Sequence, residues 1–225
     1  MNIYCFAGPN GSGKSTTVNN FINENQLGEI PFINADVIAA SAKCSHILDY
    51  TERNIFAANI ADTLRNHYLE NKKDFMFETV MSHPSKLDFL ERAKQEGYKI
   101  HLIYVITNSS DINVARVAKR VSEGGHDVSE DKIRSRYDRC LKLLPRALSI
   151  AYDAIIYDNS NDYNTQLSAL KSSEGQIYSY GNNSFVQEKI INPYCEQYGA
   201  ANIIAGNIKD IDLQKMYNLE SLMID

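Results

Sequence analysis

The sequence lacks paired cysteines. Cys5, Cys44, Cys140 and Cys195 stand far apart with no C-x-x-C unit, which excludes the common zinc and dithiol signatures. Two of them sit inside apolar patterns, so they read as buried free thiols of a reducing, cytoplasmic setting. Long hydrophobic runs are also missing, and no membrane-spanning segment is expected. The opening MNIYCFAGPN has no basic start followed by a sustained apolar stretch. It is expected to be a first strand rather than a secretory signal. His46, His67, His83 and His101 show no metal-ligand spacing. Repeats and low-complexity segments are absent. Nor is there a broad excess of positive charge: the net charge is −5. Basic residues concentrate between Arg116 and Arg146, which argues against general nucleic-acid coating and for a local anionic site.

What is present is ordinary globular composition, 225 residues with 44% hydrophobic and 23% charged, enough for one sizeable core. Short apolar runs at 2–7, 31–34, 75–77, 98–106 and 154–157 read as five strands. Between them lie helical patterns. Phe56, Ile60, Leu64 and Tyr68 recur every four residues in a helix expected over 51–71. Leu87, Leu90 and Ala93 mark another, stopped near Gly97. Two more, at about 111–122 and 129–144, flank Gly124 and Gly125. Strands alternating with helices imply an α/β fold with a parallel five-stranded sheet covered on both faces. Beyond residue 161 the signal weakens to a possible strand at 176–180 and helix at 185–198. Residues 1–160 are expected to form the main domain, with a helical lid at about 116–139. Residues 161–225 are expected to pack on it as an acidic extension.

One motif dominates. Gly8-Pro9-Asn10-Gly11-Ser12-Gly13-Lys14-Ser15-Thr16 matches G-x-x-x-x-G-K-[ST], and it follows a strand and opens a helix as that motif requires. Glycines let backbone N–H groups turn inward around phosphates, and the helix N-terminus adds positive potential. Lys14 would reach the β/γ-phosphates of ATP or GTP, and Ser15 would offer its hydroxyl to Mg2+. The loop fixes the ligand and leaves the reaction open. A transporter-type ATPase would need an LSGGQ segment and an apolar run ending in Asp-Glu, and neither occurs.

Ligand-handling groups of an open α/β sheet sit at the carboxyl ends of its strands. Asp36, just after PFIN, could accept the proton of an attacking hydroxyl, or serve as a capping or Mg2+-sphere aspartate. Glu78 and Thr79 end the run FMF and should face the same crevice, with Glu78 read as a substrate or metal-water contact or as structural. The arginines around Gly124-Gly125 could close on transferring phosphate. Arg116 and Arg120 share a helical face, whereas Arg134 and Arg136 do not, so at most one of that pair points inward. His126 reads as a lid-positioning or solvent-facing residue. Tyr157-Asp158-Asn159-Ser160 could lie against a nucleotide base or form a plain Asn-Ser turn.

The blocks AGPNGSGKST, FINAD, FET, RVAKRVSEGGHDVSEDKIRSRYDR and YDNS, in that order over roughly residues 1–160, resemble the zeta toxin family of P-loop kinases. They are closer still to its stand-alone branch, commonly labelled predicted ABC-type ATPases. The resemblance implies a nucleotide-kinase-like fold using ATP or GTP with Mg2+. In the toxins the acceptor is a sugar hydroxyl of UDP-N-acetylglucosamine, and an antitoxin partner follows by analogy. By motif, Lys14 and Ser15 match the phosphate-loop pair and Asp36 the base. Glu78 and Thr79 match the acidic block of the acceptor site. Arg120 and Arg136 match the phosphate-gripping arginines, with Arg116 and Arg134 as rivals. The reading is a small-molecule hydroxyl kinase. Its alternatives are a nucleoside, nucleotide or polynucleotide kinase, or a slowly hydrolysing nucleotide-binding module.

Overall fold

Side chains along β1 (Asn2–Ala7) alternate between two cores: Ile3, Cys5 and Ala7 join one, Tyr4 and Phe6 the other. A strand with no wet face needs helices on both sides, and the chain supplies them. α1 (Lys14–Glu24) covers one face with Val18 and Phe21. The other face takes Ala61 and Leu69 of α3 (Tyr50–Glu70), Leu87 and Leu90 of α4 (Pro84–Gln95), and Leu144 and Leu148 of α6 (Glu130–Ile150). Each fully buried leucine among these contributes roughly 2 kcal/mol relative to an exposed one. A computed structural model describes residues 1–205 apart from positions 26, 42, 43, 45, 48, 162–164 and 182. Part of the acidic extension, 206–225, lies outside the described residues.

The sheet runs β2-β3-β1-β4-β5-β6-β7-β8. Its first five members are β2 (Phe32–Ile33), β3 (Phe75–Thr79), β1, β4 (Lys99–Ile106) and β5 (Asp153–Asp158), all parallel. They are the five strands expected from the sequence. The sheet then continues: β6 (Gln166–Lys171) pairs antiparallel with β5, β7 (Ile177–Tyr180) antiparallel with β6, and β8 (Asn202–Ala205) parallel with β7. Between β7 and β8 run α7 (Ser184–Val186), a π-helical turn (Gln187–Ile191) and α8 (Asn192–Tyr198). The five expected parallel strands are present, and among the described residues the sheet extends beyond them to eight.

Two helices also differ from the reading above. The segment after β2, for which no helical pattern is read above, forms α2 (Ala35–Ala40), whose N-cap Asn34 accepts from the N–H groups of Asp36 and Val37. α6 is expected from the sequence to end at about residue 144. It continues to Ile150 with Pro145 inside, because Leu144, Ala147 and Leu148 are all buried against the sheet. Cys5, Cys44 and Cys140 are buried free thiols, and Cys195 is half-buried. Among the described residues no helix is long and apolar enough to cross a membrane.

Candidate active site

The phosphate loop stands at the carboxyl end of β1, the middle of the five parallel strands, and leads into α1 at Gly13. Its shape depends on glycine at both ends. Gly8 has φ 146°, and a Cβ there would come within 2.1 Å of the Val105 carbonyl oxygen. Gly13 has φ 91°, and a Cβ there would lie 2.2 Å from the Asn159 amide nitrogen. L-side chains adopt neither conformation readily, and the first contact is with unyielding backbone. Asn113 of α5 (Ser110–Ser122) is fully buried, donates to the Asn10 carbonyl at 2.5 Å and accepts from the Thr107 hydroxyl. Asn159 donates to the Ser12 carbonyl at 2.8 Å. The loop is therefore held from β4, α5 and the segment after β5.

Lys14 is buried, and its ammonium donates to the Pro9 carbonyl at 2.8 Å, closing the loop across its mouth. Burial lowers the Lys14 pKa, while the charges of Glu78 and Asp36 pull it back up. Those two carboxylates converge from neighbouring strand ends. Glu78 on β3 is level with Phe6 of β1, and Thr79 with Ala7. The Glu78 carboxylate accepts from Asn34 Nδ2 at 2.9 Å and lies 3.4 Å from the Ser15 hydroxyl. Burial pushes its pKa up, opposed by Lys14 and by the hydrogen bonds from Ser15 and Asn34. Asp36 is exposed in the first turn of α2, which Asn34 caps. Asn34 thus ties β3 and the turn carrying Asp36 together. Ser15 and Thr16 are both exposed at the start of α1.

From the other side comes the pair α5 and α6. Arg136 donates to Asn10 Oδ1 at 3.1 Å, so it reaches the phosphate loop. Arg120 donates to the His126 carbonyl at 2.9 Å, and its charge is among those acting on Lys14. Arg116 stands one turn earlier on α5, half-buried. Arg134 is elsewhere engaged: it donates to Asp111 at 2.6 Å, to Glu130 at 2.8 Å and to Ser110 at 3.0 Å. The structure brings Arg136 to the loop and gives Arg134 to the joint between the two helices. His126 lies with its ring centroid 6.4 Å from that of Tyr50.

With this geometry in view, likeness to known proteins is specific. The family described as "Zeta toxin" has a model that matches residues 2–168. The chain belongs to the zeta toxin family. That makes it a P-loop phosphotransferase by class. An uncharacterised protein of Haemophilus influenzae is 31% identical over 141 residues, 60% of this zeta-family chain and 90% of its own length. Among solved structures, one reported from the PezAT chromosomal toxin–antitoxin system of Streptococcus pneumoniae superposes with TM-score 0.59 at 17% identity, covering 99% of this chain and 83% of the other. The AvrRxo1-ORF1:-ORF2 complex gives TM-score 0.60 at 17% identity, covering 100% and 71%. Its ATP-bound form gives 0.59 at 16%, covering 100% and 72%. At such identities these likenesses establish the fold.

Asn34, Asn113 and Asn159 hold this zeta-family site together, and sequence reasoning assigned no role to the first two. A signal existed for both. Asn113 is a polar residue four positions before Val117 on the buried face of its helix, where an amide needs partners. Asn34 sits one residue ahead of an Ala-Asp start, the position of an N-cap.

Proposed function

We propose that the protein transfers the γ-phosphate of ATP or GTP to a hydroxyl of a small-molecule acceptor, with Asp36 as the base. The observation that carries this is the convergence of Lys14, Ser15, Glu78 and Asp36 at adjacent strand ends. Lys14 and the loop N–H groups bind the donor phosphates. Asp36, exposed on a capped helical turn, accepts the acceptor's proton as its oxygen attacks. Arg136 and Arg120 balance charge on the transferring group. The oxygen-only donors Ser15 and Glu78 suit a hard cation that keeps most of its waters. Among the described residues no group of three or more His, Cys, Asp or Glu gathers, which suits a metal held chiefly by nucleotide phosphates. Bound Mg2+ would neutralise charge on the triphosphate, with Ser15 as its direct ligand.

Family membership supports a nucleotide sugar such as UDP-N-acetylglucosamine as acceptor, in the cytoplasm. An antitoxin-like protein partner belongs to the same reading, supported by the likeness to a structure from a pneumococcal toxin–antitoxin system. The test is Asp36→Asn with γ-labelled ATP and a metabolite extract. Proton acceptance by a placed side chain contributes about 10²–10⁴-fold, so label transfer should fall by that factor. ATP affinity should stay within about threefold, since less than one kcal/mol is at stake. Transfer at the wild-type rate refutes the base assignment.

A further inference from the structure

The mechanism leaves Asn183 unused, although it lies beyond the stretch matched by the family and its amide is engaged on both sides. Its oxygen accepts from the Val186 N–H at 3.1 Å and caps α7; its nitrogen donates to Asp158 Oδ2 at 2.6 Å. Asp158 ends β5, and its other oxygen accepts from the Ser160 N–H at 2.8 Å and from the Ser160 hydroxyl. Ser160 Oγ in turn accepts from the Asn108 N–H at 2.8 Å. The residue held between them is Asn159. Its N–H donates to the Ile106 carbonyl at 2.9 Å, and its side chain donates to the Ser12 carbonyl at 2.8 Å. Thr165 steadies the same side chain by donating to Asn159 Oδ1 at 3.0 Å. The Asn159 amide fills the space a side chain at position 13 would occupy.

We propose that Asn183 is a positioning residue for the phosphate loop, acting through Asp158 and Asn159 on Ser12 and Gly13. The proposal rests on the nucleotide-binding reading above. Its physical basis is two hydrogen bonds, Asn183 to Asp158 and Asn159 to the Ser12 carbonyl, joined by the backbone between the neighbours Asp158 and Asn159. Displacing Asp158 moves Asn159, and with it the backbone that turns N–H groups toward phosphate. The segment after β5 thereby acquires a part in nucleotide affinity without touching nucleotide.

The contact allows a swap that separates positioning from folding. Asn183→Asp keeps a capping oxygen for Val186 but sets a carboxylate against Asp158. Asp158→Asn restores a donor–acceptor pair in the double variant, with the donor now on residue 158. The full-length chain is titrated with a fluorescent ATP analogue, at a temperature where circular dichroism shows every variant folded. Losing a bond to a charged group and gaining repulsion should weaken binding at least about tenfold in Asn183→Asp. The double variant should return to within about threefold of wild type. Wild-type affinity in Asn183→Asp overturns the proposal, as does a weakened single variant that the second change fails to rescue. Lys14→Ala in the same titration checks the reading beneath: if it binds as wild type, the nucleotide assignment falls, and the proposal with it.

Discussion

Replacing Asn34 by alanine cuts two contacts whose sizes follow from the structure. The first is the cap of α2, where Asn34 Oδ1 accepts from Asp36 N at 2.8 Å and Val37 N at 3.3 Å. Loss of an N-cap side chain costs about 1 kcal/mol. The second is the 2.9 Å bond to Glu78, and bonds to charged groups contribute about 1.5–3 kcal/mol. The low end applies here, because Glu78 is only half-buried and the Ser15 hydroxyl lies close by. Together these give about 2–3 kcal/mol, or a melting point lowered by about 4–12 °C for a chain of this size. Asn34→Ser keeps an oxygen at the cap and should recover about 1 kcal/mol of the loss. Catalysis should fall further than stability suggests. Asp36 rides on the turn that Asn34 fixes, and misplacing a reacting group by about 1 Å costs on the order of 10²-fold in rate. Calorimetric melting, label transfer and nucleotide titration measure the three quantities separately. An Asn34→Ala protein that melts within a degree of wild type and transfers label at its rate refutes the bridge between β3 and α2.

Glu78→Gln tests the burial of a carboxyl whose pKa is pushed above its ordinary 4.5. The folded chain holds that proton more tightly than the unfolded one, so stability is lost as pH rises through the raised value. The glutamine variant should therefore melt above wild type at pH 8 and level with it at pH 4; a gap independent of pH contradicts the assignment. Arg136→Ala should cut label transfer by about 10²–10³-fold, as removal of a transition-state donor does. Arg134→Ala should leave the transfer rate within about threefold and barely move the melting temperature, because its ion pairs are exposed to solvent. Equal losses of transfer in both variants would refute the assignment of Arg136, rather than Arg134, to the phosphate loop.

Much of the site was legible because its chemistry is local in sequence. The phosphate loop, FINAD and FET each announce themselves through a strand end and a charged or Gly-rich turn. What escaped was carried by tertiary contact. None of the residues of α2 is buried, so the helix has no apolar period and shows only through its cap. β6 and β8 gain their place by pairing outward from β5, and their short mixed sequences carry little alternation. The helix expected to about residue 144 runs on through Pro145, because the buried face of α6 continues to Ile150. Arg134 and Arg136 could be separated by helical phase, but only the structure shows Asp111 and Glu130 claiming the former.

The three-sided grip on the phosphate loop has a consequence for how the chain folds. Gly8 abuts Val105, Asn10 is held by Asn113, and Ser12 and Gly13 by Asn159. These partners arrive some hundred residues or more later in the chain, and contacts of such separation form slowly because a long loop must close first. A nascent chain that has emitted the whole motif still has no surface to mould it. The ability to hold a triphosphate is therefore acquired late, once β4, α5 and β5 have assembled. Bound nucleotide would then report on completed folding, rather than act as a template on which the first strand and helix condense.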